Sequence, residues 1–181
     1  MTQRSLEEIV LSDGGELRLT VAAPESAIRG GIVVVPDARG VTDTVWQLAE
    51  GLAGEGWLAQ HGLAADRIGV VGFGLGGAVA LIVAARCKVG AAVTVDGIGV
   101  VQPAAPGLPA LVEAAPELRC PWLGLYGDGN GVAEEEVHKL RDAAHSARVA
   151  TDLVHYCLDT DQSTADETWA RTLNWFDCHL R

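Results

Sequence analysis

Blocks of consecutive apolar residues alternate along this chain with segments whose apolar positions return every three or four residues. The blocks are Gly31–Val35 (G-I-V-V-V), Ile68–Phe73 (I-G-V-V-G-F), 89–95, 122–126 and 150–156. Each is short and largely apolar, the pattern of a strand buried on both faces of a parallel sheet. The periodic segments predict helices. Val45, Leu48, Ala49 and Leu52 share a face of the first, which Thr42 caps and Gly54 and Gly56 stop. Residues 78–85 are apolar all round and predict a buried helix. Val137, Leu140 and Ala144 line another over 133–147, with acids at its start and Lys139, Arg141 and His145 further on, the order that the helix dipole favours. Thr164-Ala165-Asp166-Glu167 predicts a capping box opening the last helix, whose apolar stripe is Trp169, Leu173, Phe176 and Leu180. Ahead of them all, 8–11 and 17–22 flank the turn cluster Ser12-Asp13-Gly14-Gly15 and predict a β-hairpin. A short helix is expected over 111–118, and the Pro- and Gly-rich segment 97–109 is expected to be a loop that covers a pocket. Strands alternating with helices make this an α/β fold with a mostly parallel sheet, in a single domain over 1–181.

The sharpest local signal lies between the second block and the buried helix. Gly72-Phe73-Gly74-Leu75-Gly76 has the frame of a nucleophile elbow, G-x-S-x-G, a tight strand-to-helix turn that lifts a reactive side chain above the sheet edge. Gly74 stands at the reactive position and offers neither oxygen nor sulfur. The same letters satisfy G-x-G-x-x-G through Gly72, Gly74 and Gly77, the dinucleotide fingerprint, and Asp96 follows near the spacing of a ribose-binding acid. The plainer reading is that these glycines let helix and strand approach closely. Asp128, Asn130, Asp159 and Asp161 are expected at the C-terminal edge of the sheet, where a hard cation is one use for them, although their spacing matches no EF-hand loop. His155 is expected to fill a face of the last strand, its alternative being a base beside Asp161. Cys157 is expected to be an inert thiol.

Composition narrows the function classes. The chain has 181 residues, 49% hydrophobic and 20% charged, as in soluble globular proteins, and its net charge of −11 argues against nucleic-acid backbones and anionic membranes. The four cysteines form no C-x-x-C pair, which suits free thiols in a reducing cytosol. Residues 1–10 carry Glu7 and Glu8 and lack an apolar signal core, so a cytoplasmic location is expected. The uncharged run 68–85 is broken by five glycines and does not read as a membrane span.

Taken in order, the loop in G-I-V-V-V-P-D-A-R-G, the elbow, C-P-W-L-G-L-Y-G and the closing T-W-A-R-T-L-N-W-F-D-C-H-L resemble the dienelactone hydrolase family of α/β-hydrolases, over nearly the whole chain. The resemblance implies an α/β-hydrolase three-layer sandwich with an N-terminal hairpin and an ester or lactone hydrolase site. It also implies a Cys or Ser nucleophile, an Asp, a His and a helper acid after the third strand. Carried over by residue, the nucleophile position is Gly74, the acid position is Asn130 and the histidine position is Asp161. Asp37 matches the helper acid, and the N–H groups of Ala38 and Leu75 match the oxyanion donors. All three triad side chains are therefore replaced, and no acyl-enzyme can form at residue 74.

A second departure lies between 57 and 62, where the family has a strand and a helix and this chain runs almost directly into Asp66-Arg67. A unit of roughly 30 residues is missing there, which is expected to leave a gap in the sheet beside the elbow. The reading that follows is a family member whose hydrolysis is weak or lost, with no cofactor or metal, that retains binding of a small carbonyl or carboxylate ligand. The alternatives are nicotinamide dinucleotide binding through Gly72–Gly77 and a non-catalytic interaction subunit. No oligomeric state follows from the sequence.

Overall fold

The buried blocks form the sheet they predict. The computed structural model of the protein describes residues 3–10, 16–23, 30–37, 64–129, 131–156 and 161–180. The helix expected over 42–54 and the shortened segment 57–62 lie outside them. Strands β1 (Gln3–Val10) and β2 (Glu16–Ala23) pair antiparallel as the expected hairpin, in a two-stranded sheet of their own. Among the described residues the main sheet has five parallel strands in the order β3 (Gly31–Val35), β4 (Ile68–Phe73), β5 (Ala91–Val95), β6 (Trp122–Gly127) and β7 (Thr151–Tyr156). Between and after them come α1 (Leu75–Arg86), α2 (Leu111–Ala114), α3 (Glu134–His145) and α4 (Asp161–His179). Among the described residues no helix is long and apolar enough to cross a membrane.

Alternation along the strands sends side chains to two cores. From β6, Trp122 and Tyr126 enter a core with Ala78, Leu81 and Ile82 of α1 and Val137 and Leu140 of α3. Leu123 and Leu125 enter the opposite core, where they meet Ile32, Val71, Val93 and Phe176 of α4. Helices thus cover both faces, and that explains why the strand blocks are apolar without alternation. The apolar sequence of α1 has the same cause, since it is buried against β4, β5 and α2. The stripes read on α3 and α4 are the faces that pack: Val137, Leu140 and Ala144 are buried, and Phe176 is fully buried with Trp169, Leu173 and Leu180 against its core.

The expected gap beside the elbow does not occur. β3 pairs with β4 along its whole length, from Gly31 opposite Ile68 to Val35 opposite Gly72. The elbow strand is therefore flanked on both sides, by β3 and β5. Two other boundaries move. α1 begins at Leu75, three residues before its apolar run. α4 begins at Asp161, so Thr164 lies within the helix and is not its cap. An acid at a helix start is favoured by the dipole, and the capping-box letters alone did not identify the entry point.

Polar groups in the first core are linked into a chain. The Trp122 indole N–H donates to Thr94 Oγ1 at 3.0 Å, and the Thr94 hydroxyl donates to the Gly77 carbonyl at 3.0 Å. β6, β5 and the first turn of α1 are thereby tied together in the interior. Burial also pushes the Cys120 thiol up to about 12. Burial, helped by the negative charge of Asp96, raises the Tyr126 phenol well above its ordinary range. Both groups stay neutral in the fold but ionise in the unfolded chain above about pH 9–10. Their contribution to stability is complete below pH 9 and is lost as pH rises toward 12. Urea midpoints should therefore fall steadily from pH 9 to pH 10.5; a flat profile would contradict the burial of these two side chains.

Candidate active site

In parallel strands all C-terminal ends share one edge, and ligands bind there in open α/β sheets. Gly74 follows β4 at that edge and precedes α1, with φ 54° and ψ −116°. Residues with a side chain hold this backbone region only under strain of roughly 1–3 kcal/mol, so glycine relaxes the bend. The bend is pinned on three sides. The Gly74 N–H donates to the Val95 carbonyl at 3.0 Å, while its own carbonyl accepts from Ala78 N at 3.2 Å and from Ile98 N at 3.3 Å. Strand, sharp turn and helix thus take the elbow geometry predicted from the glycine pattern.

Asp37 leaves the end of β3 beside this bend and is half-buried. Its Oδ1 accepts a hydrogen bond from Leu75 N–H at 3.3 Å. A Cβ built on Gly74 would stand 2.5 Å from that oxygen and 2.8 Å from Cγ. The carboxylate therefore fills the volume that a side chain at residue 74 would take. It also engages a backbone donor that the sequence resemblance assigns to an oxyanion. The attraction has a local cause: α1 carries no acid in its own first turn, and its unpaired N-terminal amides favour an anion.

The same contacts speak against a dinucleotide. A Cβ on Gly76 would strike the carbonyls of Val35 and Pro36, so the exit of β3 lies directly on the first turn of α1. The place of a pyrophosphate is covered by backbone and by a like-charged carboxylate. Asp96, the candidate ribose acid, accepts a hydrogen bond through Oδ1 from Gly127 N–H at 2.9 Å and adopts φ 49°. It clamps the ends of β5 and β6 together, and glycine spacing alone did not reveal that role.

Of the other predicted positions, Ala38, Asn130, Cys157 and Asp159 lie outside the described residues. Asp161 is the first residue of α4 and not part of a loop. His155, expected to fill a face of the last strand, lies against Asp128. Its Nε2 lies 3.1 Å from Oδ1 of Asp128. The parallel register explains this, since His155 sits opposite Tyr126, and Asp128 follows two residues later on β6's exit. Sequence reading weighed both residues but missed their pairing, because cross-strand register is not written in either segment. Nearby, Tyr156 and Thr168 hydroxyls are 3.0 Å apart and tie β7 to α4. The buried Tyr126 hydroxyl has no hydrogen-bond partner among the described residues. Among the described residues, no three His, Cys, Asp or Glu side chains converge as a metal site.

The Dienelactone hydrolase family model matches residues 57–180. No curated protein sequence matches the chain. Solved structures of the same fold include a protein of Klebsiella pneumoniae subsp. pneumoniae assigned to the dienelactone hydrolases, at TM-score 0.84 and 22% identity, covering 98% of this chain and 99% of the other. A dienelactone hydrolase from Anabaena variabilis aligns at TM-score 0.75 and 18% identity, covering 99% of each chain. The esterase domain of a Rhodothermus marinus protein aligns at TM-score 0.73 and 15% identity, covering 99% of this chain and 100% of that domain. At these identities the structures speak for the α/β-hydrolase fold, and the match to the family model, across more than half of the sequence, places this chain in the dienelactone hydrolase family.

Proposed function

We propose that this chain is an ester- or lactone-hydrolase scaffold that no longer forms an acyl-enzyme at its elbow and instead binds a small carbonyl ligand at the sheet edge. The observation that carries the reading is the bend at Gly74, with the Asp37 carboxylate in the volume of a nucleophile. Of the two ligand classes expected, a neutral carbonyl suits this edge better than a carboxylate, which Asp37 would repel. Hydrolysis through the family's triad is lost in this reading, because glycine, asparagine and aspartate stand at its three positions. The free thiols Cys87, Cys120 and Cys178 support a cytoplasmic setting.

The test uses p-nitrophenyl acetate and the intact mass of the protein. The parent chain should show no burst and no acyl adduct. Gly74→Ser should show little gain in turnover, because residues 130 and 161 supply no histidine. It should also lose about 1–3 kcal/mol of stability, since a side chain at φ 54° is strained and its Cβ must displace Asp37. An acyl adduct on the parent, or family-level turnover from that single change, overturns the reading.

A further inference from the structure

We propose that His155 and Asp128 form a general-base dyad with which water, in place of a protein nucleophile, attacks a small activated ester or lactone carbonyl at the β6–β7 end of the sheet edge. The inference rests on the preceding reading, since it supplies hydrolysis by a route that needs no acyl-enzyme.

The pairing is the first support. Asp128 Oδ1 lies 3.1 Å from His155 Nε2; in the tautomer that carries its proton on Nε2, facing the carboxylate, the ring's lone pair falls on Nδ1. Such an acceptor fixes the tautomer and stabilises the imidazolium formed when Nδ1 takes a proton. Exposure is intermediate: 21% for the His155 side chain and 45% for Asp128, sheltered enough to hold the pair and open enough for water. The other described imidazole–carboxylate pair, His138 with Glu134 at 3.7 Å, is an exposed i,i+4 contact on α3 and lies at no strand end.

Placement is the second support. Gly72 pairs with Thr94, Thr94 with Gly124 and Gly124 with Leu153. Two residues further on, Gly74, Asp96, Tyr126 and His155 follow as one row across the C-terminal edge. Three strand spacings separate the elbow from His155, about 14 Å. The imidazole is thus out of direct reach of residue 74 but on the same ligand-binding edge. Between them the loop leaving β5 presents Ile98, 37% exposed, and Val101, 36% exposed, and Ile98 is held to the elbow through its N–H to the Gly74 carbonyl. These offer apolar surface for the acyl or ring portion of the ligand.

The chemistry balances without a cofactor. Water oxygen bonds to the carbonyl carbon as its proton passes to His155 Nδ1. The tetrahedral intermediate collapses by breaking the bond to the alkoxide oxygen, which takes that proton back from the imidazolium. Ester and water become carboxylic acid and alcohol, and the dyad returns to its starting state.

The experiment follows p-nitrophenyl acetate turnover by the full chain, with urea midpoints to verify folding. His155→Ala and His155→Gln should each lower kcat/KM by roughly 100-fold. Added imidazole should restore part of the His155→Ala rate above that of imidazole alone, and Asp128→Asn should lower kcat with little change in KM. A pair that only ties β7 to β6's exit would give folded variants with parental turnover, or a loss that imidazole does not rescue; either result overturns the proposal. A parent chain without turnover also overturns it, while leaving the elbow reading intact, which fails only on an acyl adduct or on the Gly74→Ser gain.

Discussion

Gly72→Ala should destabilise the protein by about 3 kcal/mol or more, at the upper end of overpacking costs. The added methyl would fall on the Gly76 carbonyl, with Gly77 N 2.8 Å away. All of these atoms are backbone of the first turn of α1, so no rotamer change relieves them. Relief requires α1 to back away from β4, and that movement breaks the amide contact between Leu75 and Asp37 and unseats the bend at Gly74. The measurement is a urea midpoint set beside that of Gly107→Ala. At Gly107 a Cβ meets nothing within 4 Å and only the positive φ of 85° opposes it, a cost of about 1–2 kcal/mol. Equal losses at the two positions would show that close approach of α1 to β4 is not what glycine serves at residue 72.

Trp122→Ala should cost about 3–5 kcal/mol, which lowers Tm on the order of 10 °C in a chain of this size. Trp122 is fully buried at the start of β6, and its ring lies against Gly124, where a Cβ would come 2.6 Å from Cη2. The cavity is one part of the loss. The other is the stranding of Thr94 Oγ1, whose bond to the Gly77 carbonyl loses the indole N–H that supports it. Trp122→Phe keeps most of the volume and should cost less, so the difference between the two variants separates packing from hydrogen bonding. If both left Tm within 2–3 °C of the parent, Trp122 would not be the anchor of this core.

These two positions bear on the site because the elbow has no support of its own. Gly74 is held by β5, α1 and Ile98, and Asp37 meets Leu75 only while β3's exit rests on α1. Stability and site geometry therefore depend on the same backbone approaches. This framework is made by packing of glycine and alkyl side chains and not by reactive groups.

Sequence alone determined the strand blocks, the amphipathic faces of α3 and α4, the α/β order and the strand–glycine–helix turn. Each is a local matter of side-chain periodicity or backbone freedom, legible within one segment. Gly74 at the centre of that turn was equally plain. Tertiary structure decided the rest, because it depends on register and distance between segments far apart in the chain. It put the Asp37 carboxylate on the Leu75 amide, turned Asp96 toward Gly127, closed β3 against β4 and matched His155 with Asp128. A parallel strand can slide by two residues without altering which face its side chains take. Partners across the sheet edge are therefore chosen by packing of α1 and the strand ends and by no pattern inside a segment.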